Sequence, residues 1–208
     1  MTRPYPPEDL ATFSDIEMMD RFTPAPDVLD WLRDTFLDEG SELFNVDHAH
    51  LRDAKLGILW TNCDNSRAMR SVIGQAELMP PMAMGKWQRA RAVQQVEEWF
   101  GDMPDFLITF SAPAAHGMDD ASFCALVEHE LYHCAQKVDQ YGMPKFKEDG
   151  TPSFAIRGHD VEEFVGVVAR YGAIDPGVAA MVEAANHKPL IGAASIAGAC
   201  GTCLRAAA

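Results

Sequence analysis

The sequence has no long hydrophobic run and no stretch that resembles a secretory signal. None of its apolar segments reaches the roughly 18 residues that a membrane-spanning helix needs. The first nine residues include Pro4, Pro6 and Pro7 and lack the apolar core that a signal peptide requires. We therefore expect neither a membrane protein nor a secreted protein.

Basic residues are also scarce. The 208-residue chain has 17 Lys and Arg residues against 31 Asp and Glu residues, a formal net charge of −14. Proteins that grip nucleic acid or anionic lipid normally present a positively charged surface. The charge balance therefore argues against a nucleic-acid partner and against a membrane partner.

Cysteines are few and form no disulfide-scaffold pattern. Their number, five, is odd, so we expect reduced thiols in a cytoplasmic protein. Cys200 and Cys203 form a lone C-x-x-C motif. A zinc knuckle needs a second pair of cysteines, and a redox motif normally lies at a βα turn. We therefore favour the interpretation that Cys200 and Cys203 have no functional role.

The overall composition is that of an ordinary globular protein, with 48% apolar and 23% charged residues. The length is that of one domain with appendages. We predict an N-terminal arm over residues 1–22, a domain over residues 23–188, and a flexible Gly- and Ala-rich tail over residues 189–208.

The pattern along the domain mixes helices with strands and predicts an α+β fold with a small mixed sheet. Apolar runs predict strands over residues 54–60 and 106–112, the second at the sheet edge, where an extended peptide would pair with it. Glu148 to Gly150 is a hairpin-type turn signal. Helical spacing and capping residues predict helices over residues 27–38, 86–100, 119–141, 160–171 and 177–187.

The most informative stretch is the motif His129-Glu-Leu-Tyr-His133. On a helix the i,i+4 spacing places both imidazoles on one face, where they can bind one metal ion. Glu130 is not needed as a ligand and is suited to act as general base for a metal-activated water. The alternative is a core helix with two hydrogen-bonded histidines. The uncharged flanking residues favour the metal site.

A catalytic zinc needs a third protein ligand and an open fourth position. His159 is the favoured candidate, because it follows Gly158 at the start of a predicted helix, and Glu162 or Glu163 is the rival. Asp160, Glu162 or Glu163 would then orient an imidazole by hydrogen bonding. Asp160 with Glu163 also fits a helix-capping box, in which both carboxylates would have a structural role only. His48, His50 and His116 are interpreted as structural or solvated histidines.

Two segments together carry a family resemblance. Val127-Glu-His-Glu-Leu-Tyr-His133, with Arg157-Gly-His-Asp-Val-Glu-Glu-Phe164 and Arg170-Tyr-Gly172, resembles the phage metallopeptidase family and, more distantly, the SprT-like zinc peptidases. The resemblance covers roughly residues 45 to 172. It implies a zincin-like fold built on a central metal-binding helix, with His129, His133 and His159 as ligands of one Zn²⁺ and Glu130 as base. A phage-encoded protein would act in the host cytoplasm.

The sequence therefore predicts a zinc-dependent metallopeptidase that hydrolyses peptide bonds of a peptide or protein substrate. A donor for the oxyanion is also required, and Tyr171, Tyr141, Arg157 and His116 are the candidates. The alternatives are a zinc-binding structural or assembly protein without catalysis and a helical interaction module without metal. A fourth protein ligand would favour the structural role, and a water in that position would favour catalysis.

Overall fold

The computed structural model describes residues 2–12, 19–67, 70–82, 85–161, 165–173 and 175–189. Its α-helices are α1 (Glu8–Ala11), α2 (Pro26–Leu32), α3 (Lys86–Phe100), α4 (Ala112–His116), α5 (Asp120–His133), α6 (Val165–Tyr171) and α7 (Pro176–Asn186). A π-helical turn, Arg33–Leu37, extends α2, and a 3₁₀ helix covers Val46–Leu51. In the ranges that the structure describes, no helix has both the length and the apolar character needed to cross a bilayer.

Within the described ranges, the strands form one four-stranded sheet and two short antiparallel hairpins. The strands are β1 (Phe22–Pro24), β2 (Leu56–Thr61), β3 (Ser66–Arg67), β4 (Arg70–Ser71), β5 (Gly74–Leu78), β6 (Phe106–Ser111), β7 (Cys134–Gln136) and β8 (Phe154–Ile156). The main sheet has the order β1-β2-β6-β5, with β2 and β6 parallel and the other two pairings antiparallel. The prediction of a single α+β domain with a small mixed sheet is confirmed.

The strand predicted over residues 106–112 is present as β6, but its predicted place at the sheet edge is wrong. β6 lies between β2 and β5 and is paired on both sides. Its continuous apolar run suits a strand that is covered on both faces, which is why it occupies the interior of the sheet. The edges are instead formed by β1 and β5.

Helices cover both faces of this sheet. Ile58 of β2 and Phe106, Ile108 and Phe110 of β6 pack in the main core with α2 and with Leu126 of α5. The alternate residues Leu59 and Leu107 pack on the opposite face with Val96 of α3. This alternation follows the two-residue period of a strand and places α5 on one face of the sheet and α3 on the other.

Helix α5 is shorter than predicted. We expected it to reach Tyr141, but it ends at His133 and the chain continues directly as β7, which pairs antiparallel with β8. The pairing brings Phe154 of β8 against Phe106, with ring centroids 5.1 Å apart. In place of further helical turns, this segment gains the β7–β8 strand pairing and buries the Phe154 ring. The predicted turn at Glu148 to Gly150 is present, with Gly150 at φ +82°.

Candidate metal centre

Helix α5 presents two histidines near its C-terminal end. Its first turn is capped by Asp119, whose carboxylate accepts a hydrogen bond from the Ser122 amide at 2.8 Å. The hydrogen bonds from Ser122 lower the pKa of Asp119, because they favour the charged carboxylate. His129 and His133 follow at the far end of the helix, one turn apart, with ring centroids separated by 4.9 Å.

The β7–β8 hairpin brings the third histidine to this helix end. Beyond the strand pairing, the Arg157 amide donates to the His133 carbonyl at 2.9 Å. His133 Nδ1 in turn lies 2.6 Å from the Arg157 carbonyl, which can only accept, so Nδ1 carries the proton and donates. His159 comes two residues later. The hairpin therefore closes the chain between His133 and His159 and holds the two rings together.

The three imidazoles converge through their Nε2 atoms. His133 Nε2 lies 3.2 Å and His159 Nε2 lies 3.3 Å from His129 Nε2. Nitrogens that occupy corners of a tetrahedron at the Zn–N distance of 2.0–2.1 Å are about 3.3–3.4 Å apart. With the proton of His133 on Nδ1, its Nε2 lone pair is directed into the cluster. The residues present therefore fit one metal ion of zinc size.

Among the described residues, no other group of three or more His, Cys, Asp or Glu side chains is close enough to hold a metal ion. His133 is buried, His129 is half-buried and His159 is exposed. The ion would therefore be covered on the helix side and accessible from the side of His159. In the described ranges the cluster offers three ligands and no fourth.

Glu130 lies beside the ligands, on the side of α5 that faces the sheet. Its side chain is fully buried. The thiol of Cys134 lies 3.4 Å from the Glu130 carbonyl and donates to it. Burial, followed by the negative charge of Glu130, raises the pKa of Cys134 well above its usual value. Cys134 is therefore a neutral packing residue under the site.

An open cavity of about 350 Å³ lies over the three imidazoles. Three largely apolar side chains form other parts of its wall: Tyr132 on α5, Met181 on α7, and Val161, which precedes α6. Arg157 and Asp160 form an ion pair at its rim. The cavity thus combines an apolar wall with the three imidazoles and one charged pair.

Tyr132 is a site residue that the sequence analysis did not single out. Its hydroxyl accepts a hydrogen bond from Asn45 Nδ2 at 2.9 Å and donates to Asp47 at 3.1 Å, so its ring is held in place at the cavity wall. Burial is the main cause of its raised pKa. Its spacing of three residues from His129 was the available signal, since i and i+3 share a helix face.

The other histidines stay apart from the cluster. His48 is buried on the 3₁₀ helix, 3.7 Å from Glu128 and edge-on to the Tyr132 ring. His48, and to a smaller extent Asn45, lowers the pKa of Glu128. His50 Nε2 donates to the Cys134 carbonyl at 2.6 Å. His116 is exposed at the end of α4.

The remaining predicted residues divide into those at the cavity and those away from it. Asp160 lies at the rim as the partner of Arg157. Tyr171 is 67% exposed and does not line the cavity. Glu162, Glu163, Cys200 and Cys203 lie outside the described residues.

Comparison with known proteins identifies a family for this chain. No curated protein and no solved structure matches the chain. The model of a family described as "Putative phage metallopeptidase" matches residues 29–186, which contain the whole histidine cluster and most of the chain. Such a family suggests a metal-dependent peptidase that acts on protein. The chain belongs to this phage metallopeptidase family.

Proposed function

We propose that this protein is a zinc-dependent peptidase in which His129, His133 and His159 hold one zinc ion. The observation that carries the proposal is the convergence of three Nε2 atoms, with separations of 3.2 and 3.3 Å from the central one. These separations suit the tetrahedral coordination that zinc adopts with imidazole ligands. A cluster of three ligands with an open side is the arrangement of catalytic rather than structural zinc sites.

We also propose a zincin-like arrangement, in which α5 carries two ligands and the base and packs beside the edge strand β5. When bound, zinc lowers the pKa of water toward 7 and polarises the carbonyl group of a substrate. Glu130 supplies a carboxylate oxygen that takes the proton from the attacking water and returns it to the leaving amine. The open cavity, with its apolar wall at Tyr132, receives the substrate chain.

The test compares the zinc-loaded wild type with Glu130→Gln and with Glu128→Gln as a matched control. Glu128 undergoes the same chemical change two residues away, and its carboxylate accepts a hydrogen bond from Asn45 instead of lying against β5 as that of Glu130 does. Zinc content is measured by elemental analysis, and cleavage by profiling new N-termini in a bacterial proteome. Removal of a general base lowers the rate by roughly 10²–10⁴-fold.

We expect Glu130→Gln to keep its zinc and lose cleavage, while Glu128→Gln keeps both. Full cleavage by Glu130→Gln would contradict the role of the base. Absence of cleavage by the wild type, together with a fourth protein ligand on the zinc, would favour the structural zinc protein instead.

A further inference from the structure

The fully buried Glu130 side chain lies directly against the backbone of β5. A Cβ atom built on Gly74 would lie 2.8 Å from Glu130 Oε1, 3.2 Å from Glu130 Cγ and 3.0 Å from Leu126 Cδ1. Real Cβ atoms essentially never approach other heavy atoms closer than 3.0 Å. Only glycine therefore fits opposite the carboxylate in its present position.

Gly74 is needed because it has no side chain, and not because its backbone adopts a positive φ. Gly74 is not one of the glycines with positive φ, and it pairs in ordinary antiparallel register with Phe110. Glycine is disfavoured in strands, and where it occurs it often marks a close approach of another group. Here the approaching group is the Glu130 carboxylate.

The side chains that share this face of β5 become larger along the strand. Gly74, Ala76 and Leu78 alternate toward the face that α5 covers, whereas Gln75 and Glu77 point to the other face. The end of the strand with no side chain is the end that meets Glu130. The strand therefore leaves room for the helix at the position of the proposed base.

We propose that Gly74 is a positioning residue for the proposed peptidase: its missing side chain sets the location of the Glu130 carboxylate. The inference rests on the proposed function. In Gly74→Ala the flexible Glu130 side chain must move by at least about 0.6 Å to restore an ordinary contact of 3.4 Å. A misplacement of about 1 Å in a catalytic group costs on the order of 10²-fold in rate. We expect kcat to fall by about 10- to 100-fold, with KM and zinc content unchanged.

Gly57→Ala is the matched control. Gly57 lies on β2 of the same sheet, and its added Cβ would lie 3.0 Å from the Phe100 ring and 3.2 Å from Leu107 Cδ1, on the face that α3 covers. Both variants therefore overpack a buried sheet position, and both should lose some stability. Only Gly74→Ala crowds Glu130.

The Glu130→Asp background gives a readout that a purely structural role would not produce. The shorter acid withdraws from the added methyl group, so Gly74→Ala should reduce kcat much less there than in the wild type. This non-additivity is the signature of two groups in contact. Crystal structures of the wild type and of Gly74→Ala add a measurement that does not depend on activity, and we expect the carboxylate to be displaced while α5 stays in place.

Equal losses of kcat in Gly74→Ala and Gly57→Ala would overturn the inference. So would loss of zinc from Gly74→Ala, or a carboxylate that stays in place while β5 moves away. If the zinc-loaded wild type cleaves no peptide, the proposed function fails separately. The two crystal structures then still decide whether Gly74 sets the carboxylate position.

Discussion

Arg3 anchors the N-terminal segment to the body of the domain, and Arg3→Ala should destabilise the protein markedly. The residue is 3% exposed, although arginine is a residue type that is rarely buried. Its Nη2 donates to the carbonyl of Ala115 at 3.1 Å and of Met118 at 2.6 Å. Its Nε donates to Asp120 at 2.9 Å. The guanidinium therefore holds the connection between α4 and α5.

The magnitude follows from what the substitution leaves behind. Each carbonyl that loses its donor costs about 1–3 kcal/mol where it is buried. The guanidinium carbon also lies 4.1 Å from the Tyr5 ring and 4.8 Å from the Phe123 ring, contacts worth roughly 2 kcal/mol when desolvated. The ion pair adds little, because Asp120 is 67% exposed.

The net loss is smaller than the sum of these contributions. The contributions overlap, and water can hydrate part of the space that the side chain leaves. The variant also no longer has to desolvate a guanidinium group on folding. We therefore expect a loss of about 2–4 kcal/mol in the free energy of unfolding. For a chain of this length the melting temperature should fall by about 4–16 °C. Urea unfolding followed by circular dichroism measures the free energy directly.

Arg52→Ala is the matched control. Arg52 also donates to a carbonyl, that of Leu37, also pairs with a carboxylate, that of Glu39, and also lies over an aromatic ring, that of Phe44. Its side chain is 36% exposed, so its loss should cost no more than about 1 kcal/mol. Equal losses in the two variants, or a loss below about 0.5 kcal/mol for Arg3→Ala, would refute the argument from burial.

Two further predictions concern the ends of α5. Because hydrogen bonding lowers the pKa of Asp119, its cap stabilises the protein above the ordinary carboxyl range and is lost as pH falls through the lowered pKa. The difference in melting temperature between wild type and Asp119→Ala should therefore be constant near neutral pH and shrink below about pH 4; a constant difference at every pH would contradict it. Because Cys134 is buried and burial raises its pKa well above the usual value, its thiol should resist alkylation in the folded protein, whereas Cys63, whose pKa is also raised, should react because it is partly exposed. Peptide mass spectrometry after iodoacetamide treatment measures both, and rapid labelling of Cys134 would contradict the burial.

Local patterns in the sequence predicted much of this fold. The apolar runs at β2 and β6 were recognisable because both strands are buried, and the i,i+4 histidines were recognisable because helical spacing fixes their common face. The edge strand β5 was not recognisable. Its Gly74 and Ala76 are small because α5 packs on them, a reason that depends on tertiary contact rather than local pattern.

Other features depend on residues far apart in sequence. Arg3 gives no local signal of its anchoring role, because its three partners lie more than 110 residues away along the chain. The end of α5 at His133 depends likewise on pairing with β8 and on the contact between Phe154 and Phe106. The position of His159 beside α5 has no local signal for the same reason, since the pairing of β7 with β8 brings it to the helix.

The most direct test of the account is the zinc stoichiometry of the purified protein and of its histidine variants, measured by elemental analysis after dialysis against a weak chelator. We predict one zinc ion per chain in the wild type and in His116→Ala, whose exposed imidazole lies outside the cluster. We predict loss of zinc in His129→Ala, His133→Ala and His159→Ala. Full zinc content in His159→Ala would contradict the claim that three imidazoles hold one ion.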